Sequence, residues 1–251
     1  MADWNEPSQT RQSFGSVPRA GGAVAGEAYD AGLRSYMLSI YNYMASGVLL
    51  TGLVALLFSW GGADSIIGQL YLSGSPLIWV LKFAPLAFIL VMSFGLNKMS
   101  TFALQATFWA FAAVMGMSIS TIFLVYTGES IATTFFATAA AFAGLSLWGY
   151  TTKKDISGWG SFLIMGVIGL LVASIVNIFM QSEAMMFVIS GIGVLIFAGL
   201  TAYDTQRLKN DYQYLRGTEF MGKAVIMGAT SLYLDFVNMF LFLLNFLGSR
   251  E

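Results

Sequence analysis

The stretch SLYLDFVNMFLFLLNF, residues 231–246, is almost continuously apolar and contains a single acidic residue, Asp235. A second acidic residue, Asp204, lies in the apolar stretch FAGLTAYDTQ, residues 197–206. An ionised carboxylate in the hydrocarbon core of a bilayer costs about 2.5–3.5 kcal/mol on insertion scales. We therefore expect a helix bundle that buries both carboxyl groups and uses them, pairs them or protonates them.

The composition predicts a polytopic membrane protein. The 251 residues are 57% hydrophobic and 10% charged, with a mean hydropathy of +0.73. A soluble domain of this length could not hide so much apolar surface. The chain has no cysteine and no histidine, which excludes disulfides, thiol chemistry and histidine-based proton transfer. No cofactor is expected, and no basic patch indicates nucleic acid.

Seven apolar segments are long enough to cross a bilayer as helices of about 20 residues. Backbone groups in lipid must be satisfied within the segment, which favours an all-α bundle over strands. Residues 1–35 are polar and rich in Gly, Ala and Ser, which predicts a disordered cytosolic tail before a transmembrane domain, 36–251. The predicted spans are 39–59, 77–96, 103–126, 131–149, 160–180, 185–203 and 225–247.

The charges between the spans predict the orientation. Segments with basic residues alternate with segments that lack them, beginning with a basic N-terminal tail. By the positive-inside rule, the N-terminus is then cytosolic and the C-terminus lies outside, after an odd number of spans. The basic residues on the cytosolic side are Arg11, Arg19, Arg34, Lys98, Lys153, Lys154, Arg207, Lys209, Arg216 and Lys223.

Polar residues in the seventh span fall near one helical face. Ser231, Asp235, Asn238 and Asn245 share this face, which should point toward protein or water. We therefore expect the seventh span at the bundle centre, with this polar face toward the sixth span. Asp204 and Asp235 come to the same depth if the seventh helix begins in the cytosol before it enters the bilayer.

Structural roles compete with functional ones for both aspartates. Asp204 lies near the end of its span and could be an interfacial residue that pairs with Arg207 or Lys209. Asp235 has no basic residue near it within its helix, so only a structural hydrogen-bonding role competes for it. Acidic residues inside membranes are functional by default, which favours a functional role for Asp235.

Several stretches together resemble the Bax inhibitor-1 family, also called the transmembrane Bax-inhibitor-motif family. The first stretch, DAGLRSYMLSIYNYMASGVLLTG, resembles the bacterial members of this family. The resemblance covers nearly everything after the tail, and the combination of motifs is highly specific. The other stretches are FFATAAAFAGLSLWGYTTKKDISGWGSFL at 135–163, GLTAYDTQRLK at 199–209 and SLYLDFVNMFLFLL at 231–244.

This resemblance implies seven helices with the last one central, and a pH-sensitive calcium leak across a bacterial inner membrane. The family's two sensor aspartates match Asp204 and Asp235, which would share a proton, hold the pore shut and attract Ca²⁺. The candidates to line or support the ion path are Tyr203, Ser231, Asn238 and Lys98.

One departure from the family pattern concerns a basic residue. Some members are described with an arginine in the second helix that pairs with the first sensor aspartate. This chain has no arginine between Arg34 and Arg207, and Lys98 is the nearby base in that region. A lysine is a point charge rather than a bidentate fork, so whether Lys98 takes the place of that arginine stays open at this point.

Two other functions compete with a passive cation leak. Two intramembrane aspartates and the pair Tyr203–Asp204 resemble presenilin-type aspartyl proteases, but the residues before Asp235 do not match the GxGD motif. We therefore predict that the protein is not an enzyme. The alternative is a regulatory protein that binds a membrane-anchored AAA+ protease, as some bacterial relatives are thought to do, with the N-terminal tail as the docking segment.

Overall fold

The computed structural model describes the backbone of residues 20–250 and the side chains of residues 27–250. Within this range, seven helices are long and apolar enough to cross a membrane, which confirms the predicted fold class. One additional short helix, α2, lies between the first two spans. The α-helices are α1 (Ala20–Ser59), α2 (Ile66–Leu72), α3 (Leu77–Gly95), α4 (Thr101–Ile119), α5 (Gly128–Thr151), α6 (Trp159–Met180), α7 (Glu183–Leu215) and α8 (Met221–Leu247).

Hydroxyl side chains fix where several helices begin. The side-chain oxygen of each N-cap residue accepts a hydrogen bond from the backbone N–H three residues later, which satisfies one of the free donors of the first turn. Each of these caps therefore fixes the residue at which its helix begins. These N-cap residues are Ser65, Ser100, Thr127 and Ser182.

The last helix lies at the centre of the bundle, as predicted. In α8, 67% of the most apolar window is buried, against 33% or less in each of the other spans. α8 packs against α1, α4, α5 and, most extensively, α7. α3 and α6 lie at the periphery, because α3 packs mainly on α4 and α6 mainly on α7.

An aromatic cluster fixes the rotation of α8. Tyr233 is fully buried and packs edge-on against Phe108 and Phe111 of α4. Its hydroxyl lies 2.6 Å from the Thr51 hydroxyl of α1. Residues two apart on a helix point in nearly opposite directions, so anchoring Tyr233 toward α1 and α4 turns Asp235 toward α7.

The helix α1 begins earlier than predicted. It runs back to Ala20, so the described part of the predicted disordered tail is helical, and residues 1–19 lie outside the described residues. The physical reason is packing against the end of α7. The Tyr212 ring lies 5.3 Å from the Tyr29 ring and 5.4 Å from the Tyr36 ring, and Leu33 is buried between these positions.

Candidate functional site

Asp204 and Asp235 lie at similar depth on two antiparallel helices. Asp204 is eleven residues before the end of α7 at Leu215, and Asp235 is fourteen residues after the start of α8 at Met221. At about 1.5 Å per residue, their distances from the turn differ by only about 4 Å. The predicted span, 185–203, was too short, because α7 continues as a helix well beyond Asp204. Because α7 continues beyond Asp204, Asp204 and Asp235 lie at similar distances from the α7–α8 turn.

Arg207 is the counter-ion of Asp204. Its Nη1 lies 3.3 Å from Asp204 Oδ1, and its Nη2 donates a hydrogen bond of 3.3 Å to Ser231 Oγ on α8. The guanidinium also lies 5.8 Å from the centre of the Tyr203 ring. Arg207 therefore links α7 to α8 one turn from Asp235, on the side that faces the α7–α8 turn.

Asp235 is more deeply enclosed than Asp204. It is 4% exposed, and its Oδ2 has no hydrogen-bond partner among the described residues. Arg207 contacts Asp204 and also Ser231, one turn from Asp235, so the three charged groups belong to one region between α7 and α8. A buried polar atom without a partner costs free energy, and more so when it is charged. A proton shared with Asp204 would give this oxygen a partner.

The buried Ser and Thr side chains on α7 and α8 are satisfied within their own helices. Their hydroxyl groups donate to the backbone carbonyl four residues earlier in the same helix, a common arrangement for Ser and Thr in helices. Asp235 therefore differs from its polar neighbours in having an unpartnered atom. These locally bonded residues are Ser190, Thr201, Thr205 and Thr230.

A cavity of about 340 Å³ leads from the α7–α8 turn toward Arg207. Its polar groups come from Tyr36, Arg207, Asp211, Tyr214 and Ser231. The Tyr36 hydroxyl is buried without a hydrogen-bond partner in the described part of the chain. Neither Asp211 nor Tyr36 was predicted from the sequence. Asp211 had a usable signal, because it lies seven residues after Asp204 and so on the same helical face.

A second polar cavity, of about 470 Å³, lies at the opposite end of α8. Asn177, Ser190 and Asn245 line it, with Glu183 at the start of α7. Asn245 accepts a hydrogen bond of 2.8 Å from the Tyr126 hydroxyl. The polar face of α8 thus runs from one cavity, past Asp235, to the other.

Two other residues predicted from the sequence are Asn238 and Lys98. Asn238 donates a hydrogen bond of 2.8 Å to the Leu234 carbonyl within α8, one turn beyond Asp235. Lys98 is exposed in the turn after α3 and makes no ion pair with any described residue. The place of a basic partner for Asp204 is taken by Arg207.

Gln206 joins two of the stretches quoted above. Its amide Nε2 donates to the Lys154 carbonyl at 2.8 Å, and its Oε1 accepts from the Ile156 backbone N–H at 2.9 Å. The connection between α5 and α6 is therefore attached to α7 two residues from Asp204. This role was not predicted from the sequence, because a glutamine beside charged residues at a helix end is expected to be exposed.

The site can offer carboxylate, hydroxyl and carbonyl oxygens to a cation. Ca²⁺ takes six to eight oxygen ligands, and a resident site usually includes several carboxylates. Within the described range, no three acidic, histidine or cysteine side chains converge. The two carboxylates therefore suit a cation that passes through, with water completing its ligands, better than one that is held permanently.

The fold and site define a class: a multi-pass α-helical membrane protein with an acidic pair buried between its last two helices. Comparison with known proteins gives the family. Residues 33–251 match the family model described as "Inhibitor of apoptosis-promoting Bax1", and the chain belongs to this Bax inhibitor family.

The relatives are bacterial and match over most of their length. An uncharacterised protein of Caulobacter vibrioides is 47% identical over 88% of this chain and 91% of its own. The inner membrane protein YbhL of Escherichia coli K12 is 44% identical over 88% of this chain and 94% of its own. Protein RP147 of Rickettsia prowazekii, also uncharacterised, is 44% identical over 89% and 93%. The match runs from α1 through α8.

Proposed function

We propose that this protein is a pH-sensitive leak for Ca²⁺ or a similar cation in a bacterial inner membrane, with Asp204 and Asp235 as its gate. The single observation that carries the proposal is the acidic pair itself. Two carboxyl groups, one on α7 and one on the adjoining α8, lie buried at similar depth, and one of them has an oxygen without a partner among the described residues. Burying ionisable side chains inside a membrane costs free energy, and such residues mark functional sites by default.

In the closed state, one proton is shared between the two carboxyl groups and holds α7 against α8. Arg207 balances the single negative charge that is left, through its contact with Asp204. The cavity next to the pair, which neither carboxyl group lines, is bordered by Arg207 and Asp211 of α7, Ser231 of α8 and the Tyr36 hydroxyl of α1. Because only one of these is cationic, the pair cannot lose its proton without creating uncompensated charge.

Loss of the shared proton opens the gate. Two unit charges about 4 Å apart at an effective dielectric near 20 repel each other by about 4 kcal/mol. A change of that size shifts a two-state equilibrium by roughly three orders of magnitude, since each factor of ten takes about 1.4 kcal/mol. The separated carboxylates then attract a cation that reaches them through the two polar cavities. Flux should therefore rise as pH increases.

Asp235→Asn tests this function in liposomes. An amide mimics the protonated carboxyl in shape and carries no charge, so the variant should stay closed. We expect low Ca²⁺ flux that does not change between acidic and alkaline pH, whereas wild-type flux rises with pH. A fluorescent Ca²⁺ indicator inside the vesicles measures both.

Asp155→Asn is the matched control. Asp155 is exposed between α5 and α6, where hydrogen bonds from the Ser157 backbone N–H and hydroxyl lower the pKa of its carboxyl. It is thus ionised throughout the pH range of the assay, and its replacement should leave the pH profile unchanged. Wild-type flux and pH dependence in Asp235→Asn would refute the gate.

The competing role, regulation of a membrane-anchored AAA+ protease, depends on the N-terminal tail. Residues 1–19 lie outside the described residues. This role has a distinct signature, because removing residues 1–19 would abolish partner binding and leave ion flux intact. Because the acidic pair favours ion movement, we propose the leak.

A further inference from the structure

A groove of about 660 Å³ runs between α1 and α5 on the outside of the bundle. These two helices scarcely touch, because α1 packs on α4 and α8 while α5 packs on α7 and α8. The groove walls are apolar and include Leu38 of α1 with Phe142, Ala143 and Leu147 of α5. This volume lies within the range of about 300–1,000 Å³ typical of ligand sites. The walls suit an acyl chain.

Charged side chains lie only at one end of the groove. Asp30 and Arg34 of α1 are both lining residues there, with Tyr150 from the end of α5. Both charged side chains are exposed. Although they are four residues apart on one helix, they form no ion pair with each other or with another described residue. A cation and an anion are thus presented separately at the groove mouth.

The depth of these residues matches a lipid headgroup. Arg34 lies five residues, about 7.5 Å, before Ser39, where the apolar part of α1 is expected to begin. The headgroup region adds about 5–7.5 Å to each face of the hydrocarbon core, and the Arg34 side chain is long enough to reach back into it. Asp30 lies one helical turn farther out, by about 6 Å. Arg34 is therefore at phosphate depth, and Asp30 lies beyond it.

We propose that this groove binds a phosphatidylethanolamine molecule. Arg34 binds the phosphate, with which a guanidinium forms paired charge-assisted hydrogen bonds. Asp30 accepts from the ammonium group, which lies two carbons beyond the phosphate and away from the acyl chains. The acyl chain lies along Leu38, Ala143 and Leu147. One positive and one negative side chain match a zwitterionic headgroup better than an anionic one.

Native mass spectrometry of the delipidated full-length protein tests the proposal, with dioleoyl-phosphatidylethanolamine and dioleoyl-phosphatidylglycerol as probes. We expect one high-affinity phosphatidylethanolamine molecule per chain. Arg34→Gln should weaken binding of both lipids by about fivefold, the effect of one basic residue near a membrane surface. Asp30→Asn should remove the preference for phosphatidylethanolamine over phosphatidylglycerol.

Two further variants separate the groove from the general membrane surface. Ala143→Phe fills the groove and keeps every charge, so it should abolish the tightly bound lipid. Lys153→Gln removes an exposed basic residue of the α5–α6 connection, and binding should equal that of wild type.

Three results would overturn the proposal. In the first, Arg34→Gln and Ala143→Phe bind phosphatidylethanolamine as wild type does. In the second, the wild-type protein prefers phosphatidylglycerol. In the third, tight binding appears only after residues 1–19 are removed, which would mean that the protein's own N-terminal segment occupies the groove.

Discussion

At the scale of single residues, the position of Arg207 is the feature that most affects the gate. It comes from the same helix as Asp204, three residues further along, rather than from a neighbouring helix. Its side chain is 42% exposed, so solvent weakens its attraction for Asp204. Arg207 can therefore balance one charge in the closed state without locking the acidic pair.

Replacing this residue should move the pH dependence of the leak. In Arg207→Gln, the pair loses its nearby positive charge, so its last proton is held more strongly. We expect the pH of half-maximal Ca²⁺ flux to rise by about one unit, since one unit corresponds to about 1.4 kcal/mol and the residue is partly screened. Flux measured across a pH series checks this.

Replacing Asp211, the acidic residue near Arg207, should shift the pH midpoint of the flux in the opposite direction. Asp211→Asn removes a negative charge from the inner cavity, so the midpoint should move to lower pH, and by less. Arg216→Gln, on an exposed arginine at the end of the same helix, should leave it unchanged. Midpoints that shift in the same direction for Arg207→Gln and Asp211→Asn would contradict an electrostatic gate.

At the scale of elements, the packing of α5 against α7 determines how precisely Asp204 is held. Gly149 of α5 lies directly against the backbone of Ala202, and a Cβ at this position would clash with the Ala202 carbonyl. Gln206 reinforces the contact through its two hydrogen bonds to the α5–α6 connection. A glycine is thus required where the two backbones meet, two residues from the gate.

Gly149→Val should destabilise the bundle. Forcing extra carbon atoms into a well-packed interface costs about 1–3 kcal/mol, and here the obstacle is backbone that cannot rotate away. We expect a lower melting temperature in detergent by several degrees. Gly144→Val in the same helix is the control, since a Cβ there meets nothing within 4 Å. Equal melting temperatures for the two variants would show that the close contact is absent.

At the scale of the whole molecule, seven membrane-crossing helices put the start of α1 at Ala20 and the end of α8 at Leu247 on opposite faces of the membrane. The turn Leu215–Met221, the α5–α6 connection and the N-terminal part of α1 meet at one end of the bundle. Glu129 and Glu183 begin helices at the other end. The basic residues at the first end predict that it faces the cytosol.

The absence of native cysteine makes this orientation simple to test. In whole cells, a membrane-impermeant maleimide should label Glu129→Cys, whereas Lys153→Cys should react only after the inner membrane is permeabilised. Both positions are exposed, so reactivity reports the side of the membrane. The reverse pattern would place the inner cavity and the proposed lipid groove at the external face.

The sequence was sufficient to predict that there are seven spans and that Asp204 and Asp235 are buried, because hydropathy and charge within an apolar segment are local properties. It indicated that the polar face of the last helix would point inward, and α8 is indeed the central helix. The predicted start of the first helix differs from the start in the structure. The N-terminal part of α1 is held by contacts with Tyr212, almost two hundred residues later in the sequence.

The contacts around the acidic pair could not be predicted from local properties of the sequence. Whether Arg207 points toward Ser231 or solvent depends on the rotation of α8, which Tyr233 sets through Phe108 and Phe111. The two hydrogen bonds of Gln206 depend on the path of the α5–α6 connection. Such contacts join distant parts of the chain, and periodicity carries no information about them.

The most direct test of a shared proton is a double-mutant cycle on Ca²⁺ flux. The proteins compared are wild type, Asp204→Asn, Asp235→Asn and the double variant, each reconstituted in liposomes. Ca²⁺ flux is measured from pH 5 to about pH 9, a range that extends to both sides of neutral pH. If one proton serves both carboxyl groups, either single variant abolishes the pH dependence as completely as the double variant. Two independent pH-dependent components, each lost with one aspartate and additive in the double variant, would contradict the account.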